Sequence, residues 1–189
     1  MKRWRIPLGL LIVAFLIVGV LTIPVKQAYT FTETRTEDPK MTYRLLSDDS
    51  VFQIRYVHSI FLTDVLETYQ VQTDSSLKFL TMRYEDVGIG LPGYAEEGET
   101  LSVTEDGIYT LTYEDKVVDS FVLYIGDVDA QLAFRYKGKE TDLKAYLERG
   151  HSYEFRVKKL TLYEIMKGVN LNGKAKERTE SGSDNGSKR

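Results

Sequence analysis

Two histidines, one glutamate in an otherwise apolar run and a glycine-rich loop are the residues of this chain best placed to do chemistry. His58 ends an alternating segment, 51–58, in which Phe52, Ile54, Tyr56 and His58 share one face; Glu67 lies in a second, 65–72, with Val65, Tyr69 and Val71. If the two runs form an antiparallel hairpin around 59–64, a register pairing Ile54 with Val71 and Tyr56 with Tyr69 sets His58 opposite Glu67 on the apolar face. Opposed side chains in such a ladder start about 5 Å apart, within reach of a charge-assisted hydrogen bond. A structural pair closing the end of a sheet is the first expectation, because a buried carboxylate without a partner is costly. A ligand or partner contact is the second. Ser59 follows His58 on the opposite face, so the two do not make a nucleophile and base by adjacency.

A zinc site of His58, Glu67 and His151 needs distant strands to converge and has no short-range ligand spacing behind it, so neither metal nor cofactor is expected. The run 87–93, with Gly88, Gly90, Leu91, Pro92 and Gly93, lacks the lysine and the following helix of a phosphate loop and reads as a rigid surface loop. Glu96, Glu97 and Glu99 have no calcium-loop pattern around them and read as a solvated stretch. Residues 185–187 match a glycosylation sequon in a polar tail. With no cysteine, thiolate metal sites, cysteine nucleophiles and disulfides are excluded together. The expectation is a protein that is not an enzyme.

The formal net charge is −3, and Lys2, Arg3 and Arg5 stand before any acid, so the rest of the chain is more acidic than the whole. No basic stripe is present to neutralise phosphates, which excludes a nucleic-acid partner. Residues 6–23 carry no charge, and at about 1.5 Å per residue they nearly cross a hydrocarbon core of roughly 30 Å. The preceding positive charges put the N-terminus in the cytoplasm and everything after Lys26 outside. A cleaved signal peptide is the competing reading, but 22–28 lacks the small residues a signal peptidase accepts. The expected organisation is a cytoplasmic stub and single transmembrane anchor (or uncleaved signal) over 1–28, an extracytoplasmic domain over 29–168 and a disordered polar tail over 169–189.

The elements that must position these residues are strands. Tyr occurs 13 times and Thr and Val recur, side chains that suit a pleated surface. Residues 30–40 read as a spacer that becomes a first strand. Further strands are expected at 41–46, 51–58, 65–72, 77–84, 100–104, 108–113, 117–124, 131–136 and 153–162. Asp106-Gly107 and Lys137-Gly138 mark tight turns. One short helix, capped by Thr141 or Asp142, is expected to end at Gly150. The fold class is all-β or mainly β, an antiparallel sandwich or partly open barrel with one short helix.

The order His58-Ser59, Glu67, then Gly88-Ile89-Gly90-Leu91-Pro92, with Asp142-Leu143 and Arg149-Gly150 before a last strand, resembles domain-of-unknown-function family 1850, short extracytoplasmic proteins. The resemblance covers roughly 51–159. Members are commonly encoded beside TAXI-type TRAP transporters, which implies an accessory role in solute uptake, by contact with a permease or its solute-binding protein. The motif residues it carries over are His58, Ser59, Glu67, Gly88, Gly90, Leu91 and Pro92. A small-ligand or metal-ion binding domain is the alternative; a hydrolase with Glu67 as base and His58 as its partner has less support.

Overall fold

The computed structural model describes residues 5–172. Helix α1 (Arg5–Thr22) runs, after Ile23, into β1 (Pro24–Glu33). There follow β2 (Met41–Leu45), β3 (Val51–Val57), β4 (Asp64–Val71), β5 (Leu77–Tyr84), β6 (Glu99–Val103), β7 (Tyr109–Tyr113), β8 (Val117–Val118), β9 (Ser120–Tyr124), β10 (Leu132–Tyr136) and β11 (Lys139–Asp142). A 3-10 turn (Leu143–Ala145), β12 (Ser152–Thr161), α2 (Leu162–Lys167) and β13 (Val169–Asn170) complete the described elements. The fold is mainly β, with two sheets facing one another as in a sandwich. The first sheet runs β13-β2-β1-β12-β9, and the second runs β11-β10-β3-β4-β5-β7-β6 with β8 beside β5.

The core between the sheets is aromatic. Tyr29 and Phe31 of β1 and Phe155 of β12 meet Phe52 and Phe134 edge-on or tilted, with ring centroids about 5–6 Å apart. With no disulfide, this dense ring packing and the leucines and valines around it hold the sheets together. Tyr136-Lys137-Gly138-Lys139 forms the expected tight turn, Lys137 and Gly138 both taking positive φ. The expected short helix is the 3-10 turn: the Asp142 carboxylate accepts from the Lys144 N–H at 2.9 Å, and Leu143 and Leu147 are buried.

Three readings are corrected. β1 begins at Pro24 and pairs along its length with β12, so 30–40 is not a spacer: the alternation of Tyr29, Phe31 and Glu33 belongs to a central strand. The last expected strand ends at Thr161, where the Thr161 hydroxyl accepts from the Glu164 N–H and the Glu164 carboxylate accepts from the Thr161 N–H, a capping box that starts α2. Val169 and Asn170 pair with β2, and Leu171 is buried, so the polar tail does not begin at 169. The rest of that tail, with its sequon, lies outside the described residues. Among the described residues no helix is long and apolar enough to cross a membrane. The α1 side chains from Leu10 to Val20 are nonetheless exposed on all sides, Phe15 at 79%.

Candidate functional site

The hairpin β3–β4 forms, but in another register. Ile54 lies opposite Glu67, Tyr56 opposite Val65 and Phe52 opposite Tyr69. His58 therefore does not face Glu67. The shift from the expected pairing is four residues, an even number that leaves every side chain on its expected face; alternation alone does not distinguish the two. Loop closure decides it: the His58 N–H donates to the Thr63 carbonyl at 2.9 Å, and Arg55 reaches the Asp64 carboxylate at 2.7 Å across the hairpin end.

His58 instead organises the loop it opens. Its Nδ1 accepts from the backbone N–H groups of Ile60 and Phe61, each at 3.3 Å. Nδ1 is thereby an acceptor, which assigns the proton to Nε2, and Nε2–H donates to the Ile89 carbonyl at 3.2 Å. One imidazole thus joins 58–63 to 87–93. The Phe61 ring stacks on His58 and lies against Gly88, where a Cβ would come within 3.3 Å of it. Thr63 donates to the Asp86 carboxylate at 3.1 Å.

The second loop is equally constrained. Gly88 and Leu91 exchange two backbone hydrogen bonds, closing a tight turn in which Gly88 and Gly90 have φ of +131° and +81°. Leu91 is buried in the core, and the Pro92 carbonyl accepts the Tyr84 hydroxyl. What the two loops turn outward is apolar. Ile60, Leu62, Val87, Ile89 and Tyr94 are all exposed, Leu62 at 73% and Ile89 at 69%. Leu62 is held at φ +59°, a conformation rare for a branched residue, with its N–H bonded to the His58 carbonyl. Ser59 is exposed at the turn. These outward side chains went unread in the sequence, although aliphatic residues in segments that must be loops are a usable signal.

Glu67 serves a different place. It faces between the sheets, where its carboxylate accepts the Tyr69 hydroxyl at 2.7 Å and the Tyr56 hydroxyl at 3.3 Å. Burial pushes its pKa above the ordinary glutamate range, against the opposing pull of the two hydroxyls and of Lys116. Tyr69 lies in a row of stacked rings, Phe52, Tyr69, Phe79 and Tyr113, at centroid spacings of 5.2, 4.5 and 4.3 Å, and the Lys116 ammonium covers the last at 4.4 Å. A proton-retaining carboxyl is what general acid chemistry requires. Here the carboxylate bonds two tyrosines, Tyr69 on its own strand and Tyr56 on β3, and the second bond fastens β4 to β3.

His151 joins neither residue. Its Nδ1 bonds the carboxylate of Glu33, 6% exposed, at the end of the first sheet. Among the described residues, Glu33, Glu148 and His151 are the one group with metal-ligand spacing, their ligand atoms within 4.8 Å of one another. Lys40, 2.9 Å from Glu148, supplies a cation there already.

The loops, Glu67 and the β3–β11 strands fall in one segment of the chain. No curated protein and no solved structure matches the sequence. Residues 52–143 match the family model of a domain of unknown function, DUF1850, and that segment contains all seven motif residues.

Proposed function

We propose that this protein is a membrane-anchored accessory module, extracytoplasmic and non-enzymatic, that docks a partner protein on the exposed aliphatic tip made by loops 58–63 and 86–94. The observation that carries the reading is that the family's motif residues are spent on holding that tip rigid: His58, Gly88 and Leu91 bond or pack inward while Ile60, Leu62 and Ile89 point to solvent. A rigid apolar surface gives up little conformational entropy on binding and is expensive to leave in water.

The tip lies at the end of the sandwich opposite α1. β1 leaves α1 at Pro24, and Gln27 near its start donates to Ser75 in the β4–β5 turn at 2.9 Å. β5 then runs away from that turn to the tip. An anchor at α1, whose apolar side chains are exposed on all sides, therefore carries the tip away from the bilayer, towards a protein rather than lipid. The resemblance of the motif to proteins encoded beside TAXI-type TRAP transporters supports a permease or solute-binding protein as that partner.

The test is a photo-crosslinking residue at position 60 or 89 in intact cells, with position 122 on β9 as the control. An adduct with a transport component at the first two only, lost together with solute uptake in Leu62→Asp/Ile89→Asp, is the expected result. Adducts with lipid alone, or uptake unaffected by the double substitution, would overturn the reading.

A further inference from the structure

At the other end of the sandwich, a second exposed surface surrounds the point where α1 meets the domain. α2 lies in contact with α1. Its buried-facing side chain, Ile165, covers Ala28, Tyr43 and Leu160 on the outside of the first sheet. The opposite face of α2 presents Tyr163 and Met166, three residues apart on one side of the helix and 55% and 78% exposed. Ile23, directly after α1, is also exposed. Lys167 follows Met166, and Lys26 and Lys159 stand exposed at the adjoining ends of β1 and β12. The nearest acid on α2, Glu164, is taken up by Lys158 at 2.9 Å and by the helix cap.

We infer that this surface rests on the bilayer, Tyr163 and Met166 entering the headgroup region and Lys26, Lys159 and Lys167 meeting anionic headgroups. Apolar side chains flanked by lysines suit an interface with a charged outer layer and a greasy interior. The place fits as well, because a helix that continues directly into β1 holds this end of the domain close to whatever surface α1 enters. Asp48 and Asp74 lie at the same end beneath the second sheet, where Lys137 pairs with Asp48 at 2.6 Å. The inference rests on α1 being the anchor, as proposed above.

Because the chain has no cysteine, single spin labels can be placed on the full-length protein at 166, at 12 in α1 and at 62 on the tip. In phosphatidylcholine vesicles containing phosphatidylglycerol, labels at 12 and 166 should relax faster with oxygen than with an aqueous nickel chelate, and the label at 62 the reverse. Lys26→Glu/Lys159→Glu/Lys167→Glu, or omission of phosphatidylglycerol, should lower the oxygen preference at 166 severalfold while leaving that at 12 unchanged. A lipid-exposed label at 12 with a water-exposed label at 166 would overturn the inference and spare the anchor. Water exposure at both would overturn both. A label at 166 shielded from both reagents would show a protein contact instead, and a preference indifferent to phosphatidylglycerol would remove the lysines from the contact; either result overturns the inference.

Discussion

His58 and Glu67 make opposite uses of a titratable side chain. His58 has both ring nitrogens engaged by backbone groups, so His58→Ala leaves two N–H groups and one carbonyl to find water. A loss of about 1–2 kcal/mol is expected, together with faster hydrogen exchange confined to 59–63 and 87–90. Spread of the faster exchange to β1 and β12 would contradict a local clamp. Glu67 is raised in the fold, so the native state holds its proton to higher pH than the unfolded chain does, and its ionisation costs stability. That cost is absent below the ordinary glutamate range, grows as pH rises through it, and is complete once pH exceeds the raised value. Glu67→Gln keeps the tyrosine contacts without the charge. Its stability relative to the natural chain should therefore improve from about pH 4 to about pH 8 in urea titrations, the sign expected from native-state proton retention. An unchanged difference would show that the carboxyl is not raised. Both residues were visible as special in the sequence, but the pairing expected between them does not form: an even register slip leaves the hydrophobic pattern intact, and the backbone groups that capture His58 carry no sequence signal.

Elements here are fixed by a few terminal contacts. Gly88→Ala meets both a positive φ and the Phe61 ring, and should cost about 1–3 kcal/mol; Gly90→Ala, with open space at its Cβ, meets the φ alone and should cost less. Chemical denaturation of the two variants tests the order. Thr161→Ala removes the cap of α2 and should lose about 1 kcal/mol, with amide exchange rising in 162–167 and at Tyr43, whose hydroxyl donates to the Ile165 carbonyl. The alternation of 51–58, 65–72 and 77–84 and the Lys137-Gly138 turn made most of the second sheet legible, because period two and a positive-φ turn are local properties. The first sheet was harder. Its centre joins β1 to β12 across more than a hundred residues, and no local pattern encodes that pairing. The Thr161-x-x-Glu164 cap was legible in principle but sat at the end of an alternating run that reads as continuous strand.

For the whole molecule, the two exposed apolar surfaces lie at opposite ends of one two-sheet domain. Their independence is a prediction: Leu62→Asp/Ile89→Asp should abolish partner capture without changing sedimentation with membranes, while losing the Tyr163 and Met166 side chains should leave capture intact. Gel-shift of crosslinked species and membrane flotation measure the two. The sequence located the tip through His58 and the glycine run but missed what it displays, since exposure depends on how two loops lock together in three dimensions. One residue, Ile23, separates the end of α1 from the first residue of β1, and β1 is central to its sheet. Helix and sandwich are thus joined as a shaft to its head by a single linking residue. At about 3.3 Å per residue the ten residues of β1 make an arm of roughly 30 Å, so a rocking of α1 by about 10° would sweep the far end through about 5 Å. With α1 as the proposed anchor, a change of its tilt would be felt at the far end as a displacement large enough to engage or release whatever sits on Leu62 and Ile89.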